Sequence, residues 1–248
     1  NDALKQLKET SSYMYAGEQN YWYDTLPSLR KLAEKRAEKF SDADVTDEIE
    51  RRLKNLKGTK IFERPCYYTA PSDVSDKDRV QLVILPPKSP HEQYNSGKTA
   101  AIDAALECLN NGRKFRNMLL FLAPDKGKLR SLTDESRSYL AWKNLQSDRE
   151  INFDKTQTRE MTTIIADLDK KIGDLLAITY CWALSPKIVD AKNQTAITFD
   201  ANEIKNAGGN IIDAAEDIFI SSDKLVTERL DLEYFALDLD DFDLLNGG

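Results

Sequence analysis

Apolar residues fall into two kinds of pattern along this chain. Consecutive apolar runs bounded by turn residues occur in "RVQLVILPP" (79–87) and in "NMLLFLA" (117–123), and they predict strands buried on both faces. "KIFERPCYYTA" (60–70) is a third strand candidate, joined to 79–87 by a turn rich in Pro, Ser and Asp. Tyr21-Trp22-Tyr23 is a short aromatic strand candidate. Helical spacing appears first at Leu29, Leu32, Ala33, Arg36 and Phe40, with Ser28 as the cap. Ser41 to Asp44 interrupts that stripe, and Val45, Ile49, Leu53 and Leu56 resume it as far as Gly58, the expected stop. Further helices are predicted from Ala101 to about Asn111-Gly112, over Leu129 to Leu145, and over Thr156 to Trp182, the longest stripe. "TAITFDANEI" reads as a short strand and Ile211 to Phe219 as a helix. Leu4, Leu7 and Tyr15 form a loose N-terminal stripe, and Leu230 to Leu245 mixes Asp and Glu with Leu and Phe. That last stretch reads as an acidic amphipathic helix or as a truncated element that has lost its neighbours.

Alternation of strand and helix predicts an α/β fold: a short, mostly parallel sheet flanked by helices, then a mainly helical C-terminal part. The expected division is an α/β domain over 1–150 and a helical extension over 151–248. Tyr139 and Trp142 share a helix face with Leu132 and Leu145, and this face is expected to cover the sheet that carries Phe121.

Composition narrows the function classes. With 248 residues, 41% hydrophobic and 31% charged, the chain can bury a core. A net charge of −7 argues against a nucleic-acid coat, which needs a basic face. The three cysteines, Cys66, Cys108 and Cys181, lie far apart, and His91 is the only histidine, so their spacing assembles no zinc site. No apolar run approaches a membrane span and no secretory pattern opens the sequence, so a cytoplasmic chain with no membrane partner is expected. The sequence starts at Asn1 and stops at "LLNGG", and reads as an excised piece of a longer protein.

The sharpest motif is Asn95-Ser96-Gly97-Lys98-Thr99, between a strand and a helix. A phosphate loop needs a glycine four residues before its Gly-Lys-Thr, so that successive N–H groups can curl around phosphate. Glu92 stands in that place, bringing a Cβ and a negative charge. Gly97, Lys98 and Thr99 are therefore read as a decoy, with no cofactor bound here. A nuclease set can be built from Asp125 with Glu203 and Lys205, holding a metal and a water, but such residues normally lie on neighbouring strands close in sequence. No Gly-x-Ser-x-Gly elbow accompanies His91. Arg30, Lys31, Lys35 and Arg36 share a helix and either contact phosphates or form a solvated face with Glu34 and Glu38. Tyr21 and Trp22 either stack on bases or open the core. The expectation is no catalytic and no metal-binding residue in this chain, with Arg30, Arg36, Tyr21 and Trp22 as candidate nucleic-acid contacts.

Three stretches occur in a familiar order: "YWYDTLPSLRKLAEKRAEKF" (21–40), "RNMLLFLAPDKGKLRSLTDESRSYLAWKNLQSD" (116–148) and the helix leading to "YCWALSP" (180–186). With Tyr21-Trp22, Pro27, Leu29, Arg116-Asn117, the strand ending at Pro124-Asp125, and Ala141-Trp142, they resemble a bacterial family known as a domain of unknown function. It forms the long region behind a P-loop AAA-type ATPase module in phage-defence systems of the BREX type, encoded beside DNA methyltransferases. The resemblance covers most of 13–190. It implies a parent protein that binds ATP and Mg upstream of this chain, assembles into an oligomer, and works with its own other modules, with defence-system proteins and with DNA. It supplies no catalytic residue here; at most Arg30 or Arg36 acts in trans on a neighbouring ATPase.

Overall fold

The computed structural model describes residues 14–16, 21–23, 28–93, 98–191, 194–205 and 209–225. The expectations for Leu4, Leu7, Pro27 and Leu230 to Leu245 lie outside them. Strands β1 (Met14–Ala16) and β2 (Tyr21–Tyr23) pair antiparallel. Helix α1 (Leu29–Ala37) is capped by Ser28, whose side chain accepts from the Lys31 N–H. Ser41 to Asp44, an interruption by pattern, is the start of α2 (Asp42–Lys54). Ser41 and Asp44 form a reciprocal capping box there, satisfying N–H groups that the first turn leaves unpaired. Val45, Ile49 and Leu53 follow at four-residue spacing and are buried.

The main sheet has five strands in sequence order: β3 (Cys66–Tyr67), β4 (Gln81–Ile84), β5 (Leu119–Ala123), β6 (Trp182–Ala191) and β7 (Gln194–Glu203). β3, β4 and β5 run parallel, whereas β6 is antiparallel to β5 and β7 to β6. The architecture is α/β, as the alternation predicts, but the sheet is mixed rather than mostly parallel. The reason is connectivity. One helix, α3 (Ala100–Asn110), carries the chain from β4 back to start β5 in the same direction. Two helices, α4 (Leu129–Gln146) and α5 (Lys155–Thr179), stand between β5 and β6, so the chain returns from the other end. β7 then folds back on β6 over ten residue pairs, from Trp182 with Glu203 to Ala191 with Gln194. β7 covers the short strand expected in "TAITFDANEI", while β6 begins at Trp182, where the long helical stripe was expected to end. The last described helix, α6 (Ile211–Ser221), is capped by Asn210.

β4 and β5 are buried along their whole length. Phe121 is fully enclosed and meets Phe199 of β7 edge to face, with ring centroids 6.0 Å apart. One apolar core takes in Val45 and Ile49 of α2, Leu132 and Tyr139 of α4, the sheet, and Ile212 and Phe219 of α6. The α4 face expected on the sheet is divided. Leu132 and Tyr139 join the sheet core, while Trp142 and Leu145 pack with Leu29, Ala33 and Met161 in a second cluster. α4 is long enough to serve both.

Gly58 marks a close approach rather than a helix stop, since α2 has already ended at Lys54. A Cβ there would lie 2.5 Å from the Phe62 carbonyl oxygen and 2.9 Å from Ile212. The loop it belongs to is held on α6 by Asp213, which accepts from the Thr59 N–H at 2.7 Å and hydroxyl at 2.8 Å, and by Glu216, which accepts from the Phe62 N–H.

α2 is joined to α4 and α5 by charge. The largely buried Glu48 carboxylate accepts from Arg51 and Arg52, while Arg52 also reaches Asp169 at 2.6 Å and lies 4.6 Å from the centre of the Tyr139 ring. Burial opposes ionisation of Glu48, but the two arginines outweigh it and hold the carboxyl below its ordinary range. The unfolded chain therefore takes up this proton first. Stability from Glu48 is complete above the ordinary glutamate range and is lost as pH falls through the folded value. In urea unfolding between about pH 7 and pH 3, Glu48→Gln is expected to show a shallower acid loss than the wild type. Parallel curves would remove Glu48 from the account. Phe121→Ala is expected to lower unfolding free energy by about 3–5 kcal/mol, read from the same denaturation method.

Candidate functional site

In open α/β sheets, ligands gather at the carboxyl ends of parallel strands, where loops leave toward helices. Here those ends are the segments after β4 and β5. They are joined by a reciprocal bridge: the His91 N–H donates to the Pro124 carbonyl at 2.8 Å, and the Lys126 N–H donates to the His91 carbonyl at 3.2 Å. Asp125 sits at the centre. Its N–H donates to the Thr179 carbonyl at the end of α5, at 2.7 Å. Its Oδ1 accepts from the N–H groups of Gly127 and Lys128, at 2.9 and 3.1 Å, and its Oδ2 accepts from Trp182 Nε1 at 3.0 Å. Gly127 and Lys128 turn the chain into α4, and Trp182 opens β6.

His91 is buried against the Trp182 ring, with centroids 4.8 Å apart and planes at 61°. Its Nδ1 lies 3.1 Å from the Thr99 hydroxyl, which also caps α3 by accepting from the Ile102 N–H. Burial lowers the His91 pKa, and Asp125 and Glu92 oppose this only in part. Lys128 lies 3.2 Å from Cys181 Sγ and 3.4 Å from Glu203 Oε1. Burial opposes its charge, and contact with Cys181 and Glu203 overcomes that, so its pKa is raised. The Cys181 thiol is pushed up by burial, only partly countered by Lys128. Its thiolate is therefore scarce at neutral pH.

The candidate residues are distributed as follows. Gly97 lies outside the described residues; Lys98 is exposed, and Thr99 is buried with its hydroxyl engaged as above. Glu92 pairs with Lys126. Asp125 and Glu203 are separated by β6, whose Trp182 pairs with Ala123 on one side and Glu203 on the other. Their carboxylates have separate partners, Asp125 its own turn and Trp182, Glu203 the Lys128 ammonium. Among the described residues no group of three His, Cys, Asp or Glu side chains could hold a metal. Lys205 is exposed, and it is Lys128 that meets Glu203. Arg36 bonds Asp148 and Asn144 of the α4 end, the latter at 2.6 Å, while Arg30 and Lys31 share Glu34. Tyr21 and Trp22 are placed as backbone in β2.

Beside this cluster lies an open cleft of about 940 Å3. Its walls are the segment after α2 (Leu56, Lys57), the end of α5 (Asp174, Ile178), the end of β7 and the residues just past it (Glu203, Lys205) and the start of α6. Lys128 lines it as well. Ile178 is 54% exposed there, one of two large apolar side chains so placed among the described residues. Sequence pattern missed the cleft because its residues come from four elements distant in sequence. Ile178, standing off the buried stripe of a long helix, was the one local signal. No family model, curated protein or solved structure matches the chain. Among the described residues no helix is long and apolar enough to cross a membrane.

Because His91 is the only histidine, its imidazole gives a single set of proton NMR signals. Titration is expected to give a pKa below 6.5, with unfolding free energy declining as pH falls below that value, where the unfolded chain protonates first. A pKa at or above 6.5 would contradict the buried, neutral ring.

Proposed function

We propose that this chain is a non-catalytic α/β module of a larger bacterial ATPase of the phage-defence type. It passes nucleotide-driven change to other modules or partner proteins through the cleft at the carboxyl edge of its sheet. The observation that carries the reading is the engagement of Asp125. The acid best placed for metal chemistry has both oxygens bonded to its own turn and to Trp182, as a structural joint would. Thr99, the hydroxyl of the Gly-Lys-Thr motif, is likewise bonded to His91 and to the first turn of α3. The order of the three family-like stretches supports the choice of parent. On this reading ATP and Mg belong to an upstream module and the parent acts as an oligomer. The pairing of Arg36 with Asp148 and Asn144 works against DNA docking or action in trans through that residue, because a phosphate would have to displace an existing, part-buried carboxylate.

Calorimetry of the chain with Mg-ATP is expected to show no saturable heat at micromolar concentrations. A micromolar site abolished by Lys98→Ala would overturn the reading.

A further inference from the structure

A separate pocket lies at the end of β5 away from Asp125. β6 pairs with β5 only from Trp182 to Leu184, whereas it pairs with β7 along its whole length. Pro186 follows two residues after Leu184 and has no N–H to give to a ladder, so the β6–β7 hairpin parts from β5 there. The opening holds about 370 Å3, within the size range of small-ligand sites. Its apolar walls are Leu106 and the fully buried Leu109 of α3, together with Pro186 and Ile197 of the hairpin.

The polar lining comes from two neighbouring segments. Asn110 ends α3, and Arg116 and Asn117 belong to the short 3-10 helix that leads into β5. All three are exposed, and among the described residues their side chains make no hydrogen bond or ion pair. Arg116 is the single ionisable group of the lining, with no carboxylate beside it there. Neighbouring charges do not cancel it. Within a helical turn or two strand positions of the lining, Arg113, Lys114 and Lys187 stand in number against Asp103 and Glu107. Glu107 already accepts from the Tyr68 hydroxyl, and Asp76, the acid bound to this turn, accepts from the Lys114 and Phe115 N–H groups.

An aliphatic pocket with one unopposed guanidinium and two carboxamides at its rim suits a small acid with an apolar body. We propose that this pocket binds an aliphatic monocarboxylate. The carboxylate accepts from Arg116 and from the Asn110 or Asn117 amide, and the hydrocarbon chain lies against Leu106, Leu109, Pro186 and Ile197. An anion held by Arg116 is fixed at the start of β5, the strand that ends at Asp125, so occupancy acts on that strand from its other end. The site shares no lining residue with the cleft, and its existence does not depend on how the cleft is read.

The probe is sodium octanoate, titrated into the isotope-labelled full chain and followed by amide NMR. Saturable shifts are expected at the amides of Leu106 to Asn110, Arg116 to Leu119 and Ile197, with a Kd below about 1 mM. Acetate, which lacks the chain, and octanol, which lacks the charge, are each expected to bind at least about tenfold more weakly. Arg116→Gln and the isosteric Asn117→Asp, both at exposed positions, are each expected to weaken octanoate by about tenfold or more while the rest of the amide spectrum stays that of the wild type. No saturable shift, shifts centred on Ile178 instead, octanol bound as tightly as octanoate, or an unchanged Kd in Arg116→Gln would each overturn the proposal. A peptide ending in a free leucine carboxylate that binds more tightly than octanoate would give the site to a partner's C-terminus and overturn the small-ligand assignment.

Discussion

The Asp125 carboxylate is the joint on which the carboxyl edge of the sheet depends. Three connections meet there: the exit from β5 into α4, the end of α5, and the entry into β6. β6 is also where strand direction reverses, so the chain must leave α5 and start a strand at one defined point. The Trp182 indole, hydrogen-bonded to Asp125 and packed on His91, sets that point. Through His91 the same joint reaches Thr99 and the start of α3. Hydrogen bonds to a charged acceptor are stronger than neutral ones, and leaving a buried indole N–H without a partner is costly. A residue that looks catalytic by position thus explains the geometry of four elements.

Much of the scaffold was legible in the sequence. The runs around Val83 and Phe121 are strands because only a strand buried on both faces tolerates unbroken apolar residues. Ser28 caps α1 where the pattern placed it. What the pattern missed is long-range or depends on chain direction. Whether β6 runs with or against β5 is decided by the number of helices between them. Of the 60–70 candidate only Cys66 and Tyr67 form strand β3, with the Tyr68 N–H adding a bond to the Ile84 carbonyl, because that segment follows the loop drawn onto α6 by Asp213 and Glu216. Arg113, one of many charged residues in the sequence, proves to be buried. It donates to the carbonyls of Cys108, Val74 and Ser75 and so fastens the end of α3 to the loop before β4.

For the candidate site, the sequence supplied residue types but not their company. Asp125, Glu203 and Thr99 stood out as chemistry, yet their partners Trp182, Lys128 and His91 come from other elements. Once those partners are placed, the same residues become capping, bridging and pairing groups. Charge follows a similar logic. Most lysines and arginines that meet acids do so on helix faces or between neighbouring helices. Lys57 and Lys205 line the open cleft instead.

The central claim is that Asp125 is a structural joint. It is tested most directly by urea unfolding of Asp125→Ala, followed by near-UV circular dichroism of Trp182 in a variant whose other tryptophans, Trp22 and Trp142, are changed to Phe. The account predicts a loss of about 2–4 kcal/mol, from the hydrogen bonds withdrawn and the indole left unpaired, together with a weakened Trp182 signal before unfolding begins. A variant with wild-type stability and an unchanged Trp182 signal would contradict it.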